Sequence, residues 1–397
     1  MKRKPDNPIY SEALFIKEYL TEIRRKIHQY PELGMQESRT TTLVKKELSN
    51  IGVDIIELNS DVGVLGVIKG SKKGSDKVTA FRADMDALPI TERTDLPYAS
   101  KNKGIMHACG HDGHTAILLG TAKLLNNMKE KFSGTIKFIF QPDEENLNGA
   151  KLMVEEGVLE NPRVDTIVAL HCWPPLETGK IGVWEGPYMA SSDKFSIRIS
   201  GRGGHGAYPH KSVDSVLTAA ELILALQRIV SREIDSFDNV VLSVCTINGG
   251  TAFNVIPDEV IITGTVRCQQ TNLREVVKCK IDRIVRGLAD STGCNYSLDY
   301  RFGVSSLVNH PDVVKLVRRA TEQVLGQDWI VNLEKPAMSS EDFSVYLDKV
   351  PHGAFVRIGN TNSGQNSLLV HNDKFNFNDE AIPMGVSVLT QFALNNE

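Results

Sequence analysis

VDTIVALHC, running from Val164 to Cys172, is a nearly continuous apolar stretch closed by a histidine and a cysteine. A short run without polar alternation reads as a strand buried on both faces. Its surroundings fit that reading. Strands are predicted at Gly63–Ile68, Val78–Arg82 and Gly134–Phe140, and helices at Ser11–Tyr30, Ser38–Asn50 and Thr115–Lys131. Strands alternating with helices argue for an α/β domain, a mostly parallel sheet flanked by helices. Open sheets of this kind place ligands beyond the carboxyl ends of their strands. His171 stands at such an end, although a hydrogen-bonded structural histidine fits the position equally.

The pattern changes after about residue 189. A strand at Lys194–Ser200, a helix at Ser215–Arg232, strands at Val240–Ile247 and Val260–Arg267, a helix at Arg274–Asp290 and a strand at Asn295–Phe302 make a βαββαβ unit. That order is the ferredoxin-like α+β arrangement. A helix at Asp312–Leu325 and a strand at Gly353–Ile358 then return to the first pattern. The expected division is residues 1–188 plus 304–397 as one domain, with residues 189–303 inserted. A chain of 397 residues exceeds the roughly 250–300 at which single cores stop growing.

Composition is that of an ordinary globular protein, 41% hydrophobic and 24% charged. A net charge of −4 gives no electrostatic case for nucleic acid or an anionic membrane surface. No apolar run approaches the roughly 18 residues of a membrane span. The basic cluster Lys2-Arg3-Lys4 precedes no signal-peptide core. The six cysteines are scattered without disulfide spacing. A cytoplasmic protein is expected.

The chemistry concentrates in a few segments. MHACGHDGHTA, Met106–Ala116, packs three histidines, a cysteine and an aspartate into eleven residues. Thiolate and imidazole donors suit zinc, nickel or cobalt, and manganese when carboxylates join. FIFQPDEE, Phe138–Glu145, is a strand that ends at Pro142 and delivers adjacent carboxylates. Successive side chains of an extended chain face opposite ways. One of Glu144 and Glu145 can therefore bind a cation while the other addresses an attacking water, the division of labour in metal-assisted hydrolysis. A solvated acidic turn is the alternative. His371 lies between an apolar stretch and an asparagine-rich loop. Cys109, His111, Glu145, His171 and His371 together make one candidate ligand set.

Eight segments now stand in a telling order: RADMDALPI, MHACGHDGHTA, FQPDEE followed by NGAK, ALHCWP, GRGGHGAYPH, FNVIPD, MSSEDF and LLVHN. They resemble the metal-dependent amidohydrolases that include hippurate hydrolase, bacterial N-acyl-amino-acid aminoacylases, N-acetyl-diaminopimelate deacetylase and plant auxin-conjugate hydrolases. That group is a branch of the aminoacylase and carboxypeptidase metallopeptidase superfamily. The likeness runs from about Ile23 to about Val388.

The resemblance implies a centre of two divalent metal ions (Mn, Zn, Co or Ni) held by Cys109, His111, Glu145, His171 and His371. It implies Glu144 as general base and Asp86 as the aspartate that orients a ligand, with Asp84 at a position where the wider superfamily has a histidine. The inserted domain is implied to be a lid that also forms a homodimer. His205, in GRGGHGAYPH, is implied to reach the substrate carbonyl or oxyanion, where one donor is worth roughly 3 kcal/mol. Asn254 and Arg267 are candidates for holding a substrate carboxylate. Structural readings stay open for all three: a turn histidine, a turn cap and a surface ion pair. The implied reaction is hydrolysis of a small N-acyl amino acid, N-acetyl or N-benzoyl, to a carboxylic acid and a free amino acid. A dipeptidase or carboxypeptidase, an N-acetyl-diaminopimelate deacetylase and a silent metal-binding dimer are the alternatives. Asp143, beside the base, is expected to raise the pKa of Glu144. No chemistry is evident for HQYPELG, His28–Gly34, which reads as a helix end stopped by Pro31 and Gly34.

Overall fold

A computed structural model describes residues 7–361 and 368–396, so the basic cluster Lys2–Lys4 lies outside the described residues. The chain divides into two compact units, one of Met1–Gly186, Val308–Lys335 and Asp342–Glu397, the other of Pro187–Leu307 with Pro336–Glu341.

The first unit is built on an eight-stranded sheet. Its centre is parallel: Val78–Asp84 lies between Thr135–Gln141 and Thr166–Glu177, and Thr166–Glu177 pairs in turn with Gly353–Thr361. Antiparallel strands extend it, with Val64–Lys69 on Thr135–Gln141 and Ile181–Val183 on Gly353–Thr361. Val78–Asp84 is buried along its whole length, as a strand covered on both faces must be. The helix His111–Asn126 packs against the helices Lys17–Gln29 and Ile382–Asn395. Their shared core includes Leu20, Ile23, Ala116, Leu119, Val386 and Phe392.

Three local outcomes differ from the sequence reading. The strand that opens at Thr166 does not stop at Cys172 but continues to Glu177, so His171 is a mid-strand residue. Pairing with Gly353–Thr361 continues alongside, and the ladder slips between Gly359 and Thr361. That slip falls opposite Pro174 and Pro175, which have no N–H to give. Second, the central helix begins at His111, four residues before the predicted Thr115. Its polar first turn forms because buried partners await it: Asp112 takes Arg24 and His28, and His114 takes Asp84. Third, the first predicted helix is two, Pro8–Phe15 and Lys17–Gln29, separated at Ile16.

The second unit carries a four-stranded antiparallel sheet in the order Val240–Asn248, Glu259–Cys268, Asp193–Ser200, Asn295–Arg301. The helices Ser215–Arg228 and Leu273–Thr292 share a core with it, through Ile197, Ile199, Leu222, Leu226, Ile262, Val266 and Ile281. A two-residue pair, Gly204–His205 with Val255–Ile256, stands apart from the main sheet.

Candidate metal centre

The register of the parallel strands brings the first chemistry together. Arg82 pairs with Ala169, so Asp84 and His171 stand level on neighbouring strands. Both oxygens of Asp84 are engaged, one by Arg82 Nη1 at 2.6 Å and the other by His114 Nδ1 at 2.6 Å. His114 Nε2 in turn accepts the Cys172 N–H at 2.8 Å. Its lone pair is therefore spent, and His114 with Asp84 forms a buried brace rather than a ligand pair. Burial holds the His114 pKa below its usual value, as suits a neutral ring donating from Nδ1.

His111 is arranged differently. Its Nδ1 lies 3.1 Å from Asp86 Oδ1, which fixes the ring and turns the Nε2 lone pair inward, the usual support of a metal-binding histidine. That Nε2 is buried and has no hydrogen-bond partner among the described residues. It faces acids: Asp84 Oδ2 at 3.8 Å, Glu144 Oε2 at 3.9 Å and Glu145 Oε1 at 3.9 Å. Burial opposes a charged ring, yet Asp84 and Asp86 push the His111 pKa up to about 10. The site thus carries excess negative charge that a cation would neutralise.

The remaining donors converge from separate loops. His171 places Nδ1 2.7 Å from the Cys172 carbonyl, so it donates there and presents Nε2 toward Cys109 Sγ, 3.5 Å away. Burial, with His114 and Arg357 adding to it, holds His171 neutral. Burial and the nearby Glu145 raise the Cys109 thiol, so a cation would be what makes it a thiolate. His371 adopts a left-handed backbone, φ 63°, and its N–H is tied to the Ala108 carbonyl at 2.7 Å. Its Nε2 lies 3.3 Å from Glu145 Oε1.

Of the four groups of donor atoms close enough to hold an ion among the described residues, two contain Glu145: Cys109–Glu145–His371 and His111–Glu144–Glu145. They share Glu145, whose buried Oε1 hydrogen-bonds to nothing among the described residues. Two buried atoms without a hydrogen-bond partner among the described residues, His111 Nε2 and Glu145 Oε1, fit bound cations. A third group, Asp84–His111–His114–His171, contains the Asp84–His114 brace, so the nitrogens it offers an ion are His111 Nε2 and His171 Nε2.

His205, Asn254 and Arg267 lie in the second unit. His205 and Asn254 are neighbours there: Val255 pairs with His205, and the Gly206 N–H meets the Asn254 carbonyl at 2.8 Å. His205 Nδ1 accepts the Ala207 N–H at 3.1 Å, which leaves Nε2–H as an exposed donor. Arg267 donates to Ser340 Oγ rather than to an acid. Asp143 directly precedes Glu144 on this turn. Its carboxylate is taken by the amides of Asn146 and Asn148, at 2.6 and 3.2 Å, and its charge bears on Glu37.

Sequence reasoning missed a second layer. Asp342 is the residue before the helix Phe343–Leu347 and is fully buried. It accepts from Arg82 Nη2, Gln141 Nε2 and the Ala150 N–H at 2.8–3.0 Å, fastening the strand that leads into Glu144. The signal was present: an arginine in the otherwise apolar VTAFRAD strand needs a buried acid.

Comparison with known proteins agrees with this geometry. The model of peptidase family M20/M25/M40 matches residues 80–395. The chain is 40% identical to the N-acetyl-L-cysteine deacetylase of Bacillus subtilis (strain 168), over 90% of this chain and 83% of that one. It is 44% identical to the N-acyl-L-amino acid amidohydrolase of Geobacillus stearothermophilus, over 73% and 77%. A crystal structure of a dinuclear metal-binding M20 peptidase from Bacillus subtilis superimposes with a TM-score of 0.84 at 35% identity, covering 96% of this chain and 98% of the other. Fold and site together define an amidohydrolase that binds divalent metal. The chain belongs to peptidase family M20/M25/M40.

Proposed function

We propose that Cys109, His111, Glu145, His171 and His371 hold two divalent metal ions, and that the chain uses them to hydrolyse the amide bond of small N-acyl amino acids. The observation that carries this reading is the pair of donor groups that share Glu145, with buried atoms of His111 and Glu145 left without a hydrogen-bond partner among the described residues. The names of its relatives at 40% and 44% identity support an acyl amino acid over a peptide. Manganese, zinc, cobalt and nickel all suit the donors.

When bound, the ions polarise the amide carbonyl and make water acidic enough to lose a proton near neutral pH. Glu144 takes that proton and returns it to the leaving amine. Asp86 holds the His111 ring through Nδ1 and the Glu145 N–H through Oδ2, at 3.1 and 2.9 Å. His205 supplies an N–H to the developing oxyanion, and Asn254 and Arg267 bind the substrate carboxylate. A panel of N-acetyl, N-benzoyl and dipeptide substrates, assayed with each metal restored singly, checks the reading. Release of amino acid from the acyl compounds is expected; turnover of dipeptides alone would contradict it.

Residues 189–303 act as an inserted lid and dimerisation domain. Val240–Asn248 is an edge strand with Val241 and Ile247 exposed, and the helix Ser215–Arg228 exposes Leu217 and Leu224. An apolar edge of this kind is an association surface, whereas the opposite edge carries Asp299 and Arg301. Equilibrium sedimentation is expected to give a dimer that Leu224→Lys weakens; a wild-type monomer at micromolar concentration would refute it. No helix among the described residues is long and apolar enough to cross a membrane, and the unpaired cysteines suit the cytoplasm.

A further inference from the structure

Pro31–Glu37, which overlaps the HQYPELG stretch read above as a plain helix end, lies against the loop that carries Glu144. An added Cβ on Gly34 would fall 1.8 Å from Asp143 Oδ1, so only glycine admits the contact. The Ala87 N–H meets the Glu32 carbonyl at 2.8 Å, which ties the segment to the strand exit holding Asp86. The Glu32 carboxylate takes the free amides of Arg39 and Thr40 at the start of the helix Ser38–Ile51, at 2.9 and 2.8 Å. Glu37, just before that helix, is thereby released from capping and turns inward. It is fully buried, and its Oε1 accepts the Asp143 N–H at 2.8 Å.

The loop needs such support. Asp143 and Leu147 both hold left-handed backbones, φ 53° and 61°, a conformation that residues with a side chain disfavour. Two buried carboxyl groups grip the backbone on either side of Glu144: Glu37 on the Asp143 N–H and Asp86 on the Glu145 N–H, at 2.8 and 2.9 Å. Asp86 also serves His111, whereas the Glu37 side chain reaches beyond its own backbone only to this loop.

We propose that Glu37 is a positioning residue for Glu144: by accepting the Asp143 N–H it fixes the left-handed turn from which the general base projects. The proposal rests on the reading of Glu144 given above. Burial pushes the Glu37 carboxyl up to about 8, and Asp86 and Asp143 add to the rise. An uncharged acceptor therefore does its work.

Three variants test this. Glu37→Leu and Glu37→Met keep the volume but offer no acceptor, leaving a buried N–H unpaired. Glu37→Gln keeps a carbonyl oxygen. The first two are expected to lower kcat by about 10–100-fold, the usual cost of losing such support. KM and metal content stay within about threefold of wild type, because Asp86 still holds Glu145. Amide hydrogen exchange across residues 142–148 speeds up in both, while residues 106–116 are unchanged. Glu37→Gln restores both kcat and protection. Leucine and methionine variants with wild-type kcat and exchange would overturn the proposal, as would a glutamine variant no better than they are. The exchange readout needs no substrate. Should the wild type fail on every acyl amino acid, faster exchange reversed by glutamine still upholds the positioning role, and unchanged exchange removes it.

Discussion

Replacing Glu144 by glutamine is expected to lower kcat on an N-acetyl amino acid by about 10²–10⁴-fold, the range of a lost general acid–base, with both metal ions retained. The substitution conserves shape and removes only the ability to take a proton. Glu144 is 6% exposed, and its Oε2 lies 3.9 Å from His111 Nε2. It thus belongs to one of the two donor groups, beside His111, while Glu145 belongs to both of them. Adjacent residues with different duties are what the turn at Asp143 provides, since Glu145 is anchored to Asp86 and Glu144 is held between two clamped amides. Metal analysis of the purified variant beside steady-state kinetics checks the outcome. A kcat within tenfold of wild type would remove Glu144 from the role of base. Loss of metal along with activity would make it a ligand instead.

His111→Ala is expected to have the other large effect, on metal binding itself. Nε2 is the most completely prepared nitrogen of the site: the ring is fixed by Asp86, and the atom is buried without a hydrogen-bond partner among the described residues. Its removal leaves Glu144 and Glu145 facing each other with less positive charge between them, which disfavours both ionised forms. Asp86→Asn, which keeps an acceptor but weakens the ring's anchor, is expected to cost about 10–100-fold in metal affinity, and His111→Ala more. Competition with a chromogenic chelator measures both. A His111→Ala chain that still binds two ions with wild-type affinity would show that the ligand set is assembled elsewhere.

What the sequence revealed follows from how locally each feature is encoded. The runs Val78–Arg82 and Val164–His171 declare buried parallel strands by composition alone, and four of the five candidate ligands sit on strands or loops whose order could be read directly, His111 opening a helix instead. The start of the central helix could not, because HDGH becomes helical only when Arg24, His28 and Asp84 receive its polar side chains. Those partners come from distant segments. The extension of the Thr166–Glu177 strand through two prolines likewise depends on a neighbour that can slip its register. The supporting layer was least legible. Glu37 and Asp342 look like solvated charges in the sequence, and only the packed structure shows each buried against the loop or strand it steadies. Ligand residues come with spacing, whereas the groups that hold them come from anywhere the fold can reach.

The most direct test of the account is a stoichiometric titration of the metal-stripped chain with one cation, cobalt or manganese, read by amino-acid release from an N-acetyl amino acid. Two donor groups sharing Glu145 predict no turnover in the stripped chain and a plateau at two ions per chain. Full turnover in the stripped chain, or a plateau at two bound ions without amino-acid release from any acyl substrate, would contradict it.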